Sequence, residues 1–138
     1  MPLYTARAPI VIPFRIAYSS APWTDMPAAL TEWNASLSGR IKYDLSNVSQ
    51  VRVFCRMVVA GAASAELRGQ YSTDDSTFNY LDGGTGPTVA INAANTTVVG
   101  AWVTIVAAAR ADVILRIVGI NGDGALDPTF ANFGLEVR

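Results

Sequence analysis

The chain has 138 residues, 51% of them hydrophobic and only 15% charged, with a formal net charge of -1. It is long enough for one domain with a true core and far from the composition of a disordered chain. Such a balance provides no global positive field, which argues against nucleic acid or an anionic membrane as partners drawn in by long-range attraction.

Prolines stand at Pro2, Pro9, Pro13 and Pro22, and each removes a backbone donor and pushes its predecessor toward extended geometry. The first residues lack the basic-then-apolar layout of a signal peptide, so synthesis in the host cytoplasm without a signal peptide is expected. No stretch reaches the ~18 continuous apolar residues of a membrane span. Ile10, Ile12, Phe14 and Ile16 share one parity, which gives a strand with one apolar face, interrupted by proline as an edge strand would be. Residues 1–22 are therefore expected to form an extended N-terminal arm or edge strand, and 23–138 the domain proper. As an arm, the segment would be dispensable for folding and would lie on a neighbouring subunit.

Residues 23–33 carry the one helical pattern. Thr24 or Asp25 can cap it, Pro27 suits its first turn, and Met26, Leu30 and Trp33 recur at helical spacing. A loop over 34–39 is expected to close it. A short strand at 40–44 follows, and then Val51, Val53, Cys55, Met57 and Val59 alternate with Arg52, Phe54, Arg56 and Val58, so one face is expected to enter a core and the other to present arginines. Gly61 ends that strand, and the link 61–64 suggests an antiparallel hairpin into the next, where Ala65, Leu67, Gly69 and Tyr71 alternate with Glu66, Arg68 and Gln70. A polar turn at 72–76, a short strand at 78–81 and a Gly-rich loop at 82–87 come next. Further strands are expected at 88–92, 96–107, 111–120 and 131–138. About nine short strands separated by turn residues define an all-β chain, a jelly-roll antiparallel β-sandwich with one short helix.

Histidine is absent and the one cysteine is Cys55. An intrachain disulfide is excluded, and so are the commonest general base and the commonest transition-metal ligand. Cys55 sits in an apolar alternating run and is expected to be a buried, inert thiol. No phosphate-binding Gly-rich motif, dinucleotide fingerprint or H-E-x-x-H helix is present. Asp74, Asp75, Asp82, Asp123 and Asp127 all stand amid Gly, Ser, Thr or Pro, where aspartate serves turns. The segment 121–127 offers Asn121, Asp123 and Asp127 at the spacing of a calcium loop, yet it lacks the closing glutamate and flanking helices. The chain is accordingly expected to be no enzyme and to need no cofactor or metal.

Arg52, Arg56 and Arg116 share the outward parity of their strands with Phe54, Val58, Ile114 and Val118. A lone monomer would then expose a mixed arginine and apolar patch, which favours a protein interface and a homo-oligomer. Glu66 and Glu136 interleave with these arginines and Arg68, and no aromatic platform accompanies them, which disfavours nucleic acid. Trp23, Trp33 and Trp102 are read first as packing residues, with sugar stacking as the sharper alternative.

The run from Leu67 to Leu81, with Tyr71-Ser72-Thr73-Asp74 at its centre, resembles the hairpin of discoidin-like and galactose-binding-like sandwiches. The stretches Asp112 to Gly119 and Asp127 to Arg138 look like the closing strands of that architecture. The arrangement is also similar to small jelly-roll proteins of tailed phages that decorate or cement capsid shells. That resemblance implies a non-catalytic virion protein that contacts shell subunits, with a carbohydrate-binding or adhesin module as the second reading. The interface residues expected for it are Ile10, Ile12, Phe14 and Ile16 on the arm and Arg52, Phe54, Arg56, Val58, Ile114, Arg116 and Val118 on the strands.

Overall fold

A computed structural model describes residues 10–14, 33–120 and 128–138, the side chains of 33–41 excepted. Among these residues the chain is an all-β sandwich of two antiparallel sheets. Alternation sets the layers. In β3 (Gln50–Val59) the side chains of Val51, Val53, Cys55 and Met57 are buried while Arg52, Phe54 and Arg56 point away. In β9 (Asp112–Ile120) Val113, Leu115 and Ile117 enter the same core, and in β10 (Thr129–Val137) Phe133, Leu135 and Val137 meet them. Burial of each large apolar side chain is worth ~1.5–3 kcal/mol, so this layer is the main source of cohesion.

Sheet A runs β1 (Ile10–Phe14), β10, β3 and β7 (Thr97–Val99), with β8 (Val103–Thr104) also paired to β3. Sheet B runs β2 (Trp33–Asp44), β9, β4 (Glu66–Ser72) and β5 (Asn79–Tyr80), with β6 (Thr88–Ala90) also paired to β4. The pairing is nested. β1 joins β10, β2 joins β9, β3 joins β7 and β8, and β4 joins β5 and β6, as if one long hairpin with its tip at 73–78 had been rolled up. Inside the sandwich Gly69 of sheet B lets the other layer come close, since a Cβ there would lie 3.1 Å from both Leu135 of sheet A and Pro87.

Several sequence expectations change here. The link after Gly61 makes no hairpin, because β3 and β4 belong to different sheets; Gly61 donates its N–H to the Ile91 carbonyl and Ala65 donates to Ala62, which turns the chain across the layers. The expected loop 34–39 is part of the long strand β2, which pairs with β9 from Trp33 opposite Gly119 to Asp44 opposite Asp112. Trp33 thus opens a strand, and the rest of the expected helix, 23–32, lies outside the described residues. The expected strand 96–107 is broken. Gly100 separates β7 from β8, donates its N–H to the Val53 carbonyl at 2.8 Å and passes so close to Thr88 that a Cβ would collide with the Thr88 carbonyl oxygen. A single 3-10 turn, Ala107–Ala109, follows.

The apolar parity of the N-terminal segment is used inside the chain. Ile12 and Phe14 are 5% and 6% exposed, with Phe14 stacked on Phe133 at 6.2 Å between ring centres. β1 is an edge strand of sheet A, and Pro13, opposite Gly134, stands where a missing donor costs little. Ile16 and residues 121–127 lie outside the described residues.

Candidate functional site

The outward residues of β3, β4, β9 and β10 do not form one patch. Arg52, Phe54, Arg56 and Val58 lie on sheet A, whereas Arg68, Ile114, Arg116 and Val118 lie on sheet B. Parity fixes inside against outside, but the sheet to which a strand belongs separates these residues onto opposite faces. Ile114 and Val118 are 5% and 0% exposed within the monomer, so sheet B offers neither as free apolar surface.

Sheet A does offer such surface. The exposed large hydrophobic side chains among the described residues are Ile10, Val11, Val58, Val59 and Val99, each 46–58% exposed, and all belong to its strands. Val11, Val58 and Val99 share the outward parity with Phe54, whereas Ile10 and Val59 stand at strand ends on the parity of the core. Pro13 stands opposite Gly134, Gly134 opposite Phe54 and Phe54 opposite Val99, which makes one row across the sheet. The Phe54 ring lies over Gly134, where a Cβ would come within 3.0 Å of it. In the next row Val11 flanks Glu136, which pairs with Arg52. Val11 and Val99 were not singled out from the sequence, because each sits in a short strand whose parity alone is a weak signal; Val59 was expected on the core face and is 48% exposed at the end of β3.

Each charged group named on sheet A has a partner. Arg52 Nη2 and Nε donate to Glu136 Oε2 at 2.7 and 2.9 Å, and the Arg52 guanidinium lies 4.3 Å from the centre of the Trp102 ring. Arg138 lies 4.2 Å from the same ring and donates from Nε to Gln50 Oε1 at 2.7 Å. Arg56 is exposed and donates to Thr97 Oγ1 at 3.3 Å. Trp102 is therefore a platform for two guanidinium groups.

Sheet B repeats the motif with other residues. Arg116 donates from Nε to Gln70 Oε1 at 2.6 Å and stacks on Phe78 at 3.9 Å, while Arg68 pairs with Glu66 at 2.9 Å and lies 5.7 Å from the Tyr80 ring. The expectation that no aromatic rings accompany the arginines is thus corrected: cation–π contacts form on both faces. They join residues distant in sequence, so no local pattern announces them.

Beside this second cluster a groove of about 460 Å3 opens between the β4–β5 hairpin and the 3-10 turn, lined in part by Gln70, Phe78, Asn79, Tyr80 and Gly83. Its neighbouring turns are built by aspartates. Asp82 Oδ1 accepts the N–H groups of Gly84 and Gly86, and Asp74 Oδ1 accepts those of Thr77 and Ser76 and the Ser72 hydroxyl. These bonds, the Thr77 N–H foremost, hold the Asp74 carboxyl below its ordinary range. Burial pushes the Cys55 thiol up to about 12. Among the described residues no group of three acidic or cysteine side chains is placed to hold a metal, and no helix is long and apolar enough to cross a membrane.

These features define a β-sandwich with exposed valines on the outer face of sheet A and arginine–aromatic clusters on both faces. Compared with known proteins, the chain matches no family model, no curated protein and no solved structure.

Proposed function

We propose that the chain is a non-catalytic structural protein of a virus particle, a capsid decoration or stabilising subunit of the tailed-phage kind, which works by burying the outer face of sheet A. The observation that carries this reading is the exposure of Val11, Val58 and Val99 on the outward parity of that one face, beside Phe54. Patches of this kind mark association surfaces. The strand order supports a jelly roll, since β1-β10-β3-β7/β8 against β2-β9-β4-β5/β6 is the order that a rolled-up hairpin produces. Absence of histidine from the sequence supports the non-catalytic half.

The occupant of the face is a second copy of the chain. Arg52 and Glu136 neutralise each other on it, and a net charge of -1 leaves little repulsion between copies. The row Pro13, Gly134, Phe54 and Val99 carries no charge, so a like surface can pack on it without burying an unpaired ion. Shell subunits would be held through the remaining surface of the resulting oligomer.

Light scattering on the purified chain tests the association, with an oligomer expected for the natural sequence and a monomer for Val58→Asp combined with Val99→Asp. A natural chain that stays monomeric at high concentration overturns it. Mass spectrometry of gradient-purified particles tests the location, and particles that lack the chain overturn the virion assignment.

A further inference from the structure

β2 lies at one end of the strand order of sheet B, and among the described residues β9 is the only strand paired with it. One hydrogen bond fixes which way its backbone points near Asp44. Asp44 stands opposite Asp112, while the Leu45 N–H donates to the Ala111 carbonyl at 3.2 Å, at the adjoining pair of positions. In an antiparallel ladder this makes Asp44 and Asp112 a pair without mutual backbone bonds, and Lys42 with Ile114 another of the same kind. The N–H and C=O groups of Lys42 and Asp44 therefore point away from β9, toward the outer edge of the sheet.

The side chains at this edge carry opposite charges on either side of Tyr43. Lys42 and Asp44 are both exposed, and neither has an ion-pair partner among the described residues. Asp44 Oδ1 accepts the Ser46 N–H at 2.9 Å, which keeps the carboxylate at the end of the strand. Across the ladder it meets Asp112, an exposed acid, and like charges directly opposite each other repel. A cation on the outer side of Asp44 would offset that repulsion.

We infer that the outer edge of β2 pairs antiparallel with the same edge of a second copy, with a two-fold axis passing at Tyr43. That register sets Lys42 opposite the partner's Asp44 and Asp44 opposite the partner's Lys42. Both residues then exchange backbone bonds with their counterparts, and opposite charges meet at both positions. Centring the pairing on Lys42 or on Asp44 instead would set like charges against each other. This edge is separate from the outer face of sheet A, but the inference rests on the association proposed for that face. Exposed ion pairs contribute little singly, and the strand ends at Asp44, so two single chains are held only weakly by it. Two copies joined through sheet A present the edge twice, and such dimers link into a larger assembly.

Sedimentation velocity of the full chain tests this at low and at high salt. The natural chain is expected to form assemblies larger than a dimer at low salt and dimers in about 1 M salt, where exposed charges are screened. Lys42→Asp should stop at the dimer with an unchanged melting temperature, and Lys42→Arg should assemble as the natural chain does. Lys42→Asp combined with Asp44→Lys should recover the larger assembly, while Val58→Asp with Val99→Asp should remain monomeric. The edge pairing is overturned, with the sheet A contact left standing, if the natural chain stops at the dimer. The same holds if Lys42→Asp assembles as the natural chain does, or if the folded charge-exchanged variant stays dimeric. A monomeric natural chain overturns the sheet A association and the edge pairing with it.

Discussion

The guanidinium of Arg52 lies 4.3 Å from the centre of the Trp102 ring, and the contact is made across a break in the sheet between β7 and β8. Arg52 also holds Glu136 on the neighbouring strand β10, so one side chain ties three parts of sheet A together. Trp102→Ala should lower stability by about 1–2 kcal/mol, and a double-mutant cycle with Arg52→Ala should return a coupling of about 0.5–1 kcal/mol. Urea denaturation of the four proteins measures it, and zero coupling would mean that the ring and the guanidinium are merely adjacent.

Gly134→Ala is expected to cost about 2 kcal/mol or more. The added Cβ would collide with the Ile12 carbonyl oxygen and touch the Phe54 ring at 3.0 Å. The ring can swing away, but the carbonyl can retreat only if β1 leaves β10. Phe54→Ala in the same background should therefore restore little, and full recovery would place the strain in the ring instead.

Phe14→Ala should destabilise by roughly 3–5 kcal/mol, because the side chain is buried against Phe133. A chain beginning at Ala21 should melt well below the full protein for the same reason. A truncated protein with an unchanged melting temperature would show that β1 adds nothing to the fold and would revive the dispensable arm.

The interior strands were the most legible part of the sequence. Val51, Val53, Cys55 and Met57 alternate cleanly with larger or charged neighbours, and the structure buries all four. β2 carries a similar alternation, Trp33, Ala35, Leu37, Ile41 and Tyr43 against Asn34, Ser36, Ser38, Lys42 and Asp44, but its small polar residues also suit a loop. The corner after Gly61 was opaque for a different reason: a tight link looks the same whether the next strand pairs with its predecessor or crosses to the other layer. The same ambiguity merged two opposite faces into one expected patch. Stacking of Arg116 on Phe78 and of Arg52 on Trp102 depends on strand neighbours that only the tertiary arrangement supplies.

Acid should weaken the β4–β5 turn. The Asp74 carboxyl titrates below its ordinary 3.8 because the backbone N–H groups of Thr77 and Ser76 and the Ser72 hydroxyl favour its charged form. A folded-state pKa depressed below the unfolded value gives stability that is present above the unfolded pKa and is lost as pH falls through the folded one. Asp74→Asn, which keeps an acceptor oxygen without the charge, should thus be less stable than the natural chain at neutral pH. The gap should shrink as pH drops below 3.8. Thermal melts across that interval decide it, and a constant gap would assign the effect to shape.

Cys55 should resist alkylation by iodoacetamide in the folded protein at pH 8 and react fully in denaturant. Its thiol is buried and pushed up to about 12, and the thiolate is the reactive form. Stoichiometric labelling without unfolding would show that sheet A opens locally at β3.

The nested pairing has a consequence for the order in which the protein is made. β9 and β10 follow the other described strands in the sequence, yet they occupy interior places, β10 between β1 and β3 and β9 between β2 and β4. Until they emerge, the earlier strands have apolar faces but lack their central partners, and neither layer can close. The sandwich therefore closes only once both strands are made, in a step dominated by pairings between strands far apart in sequence, β1 with β10 and β2 with β9.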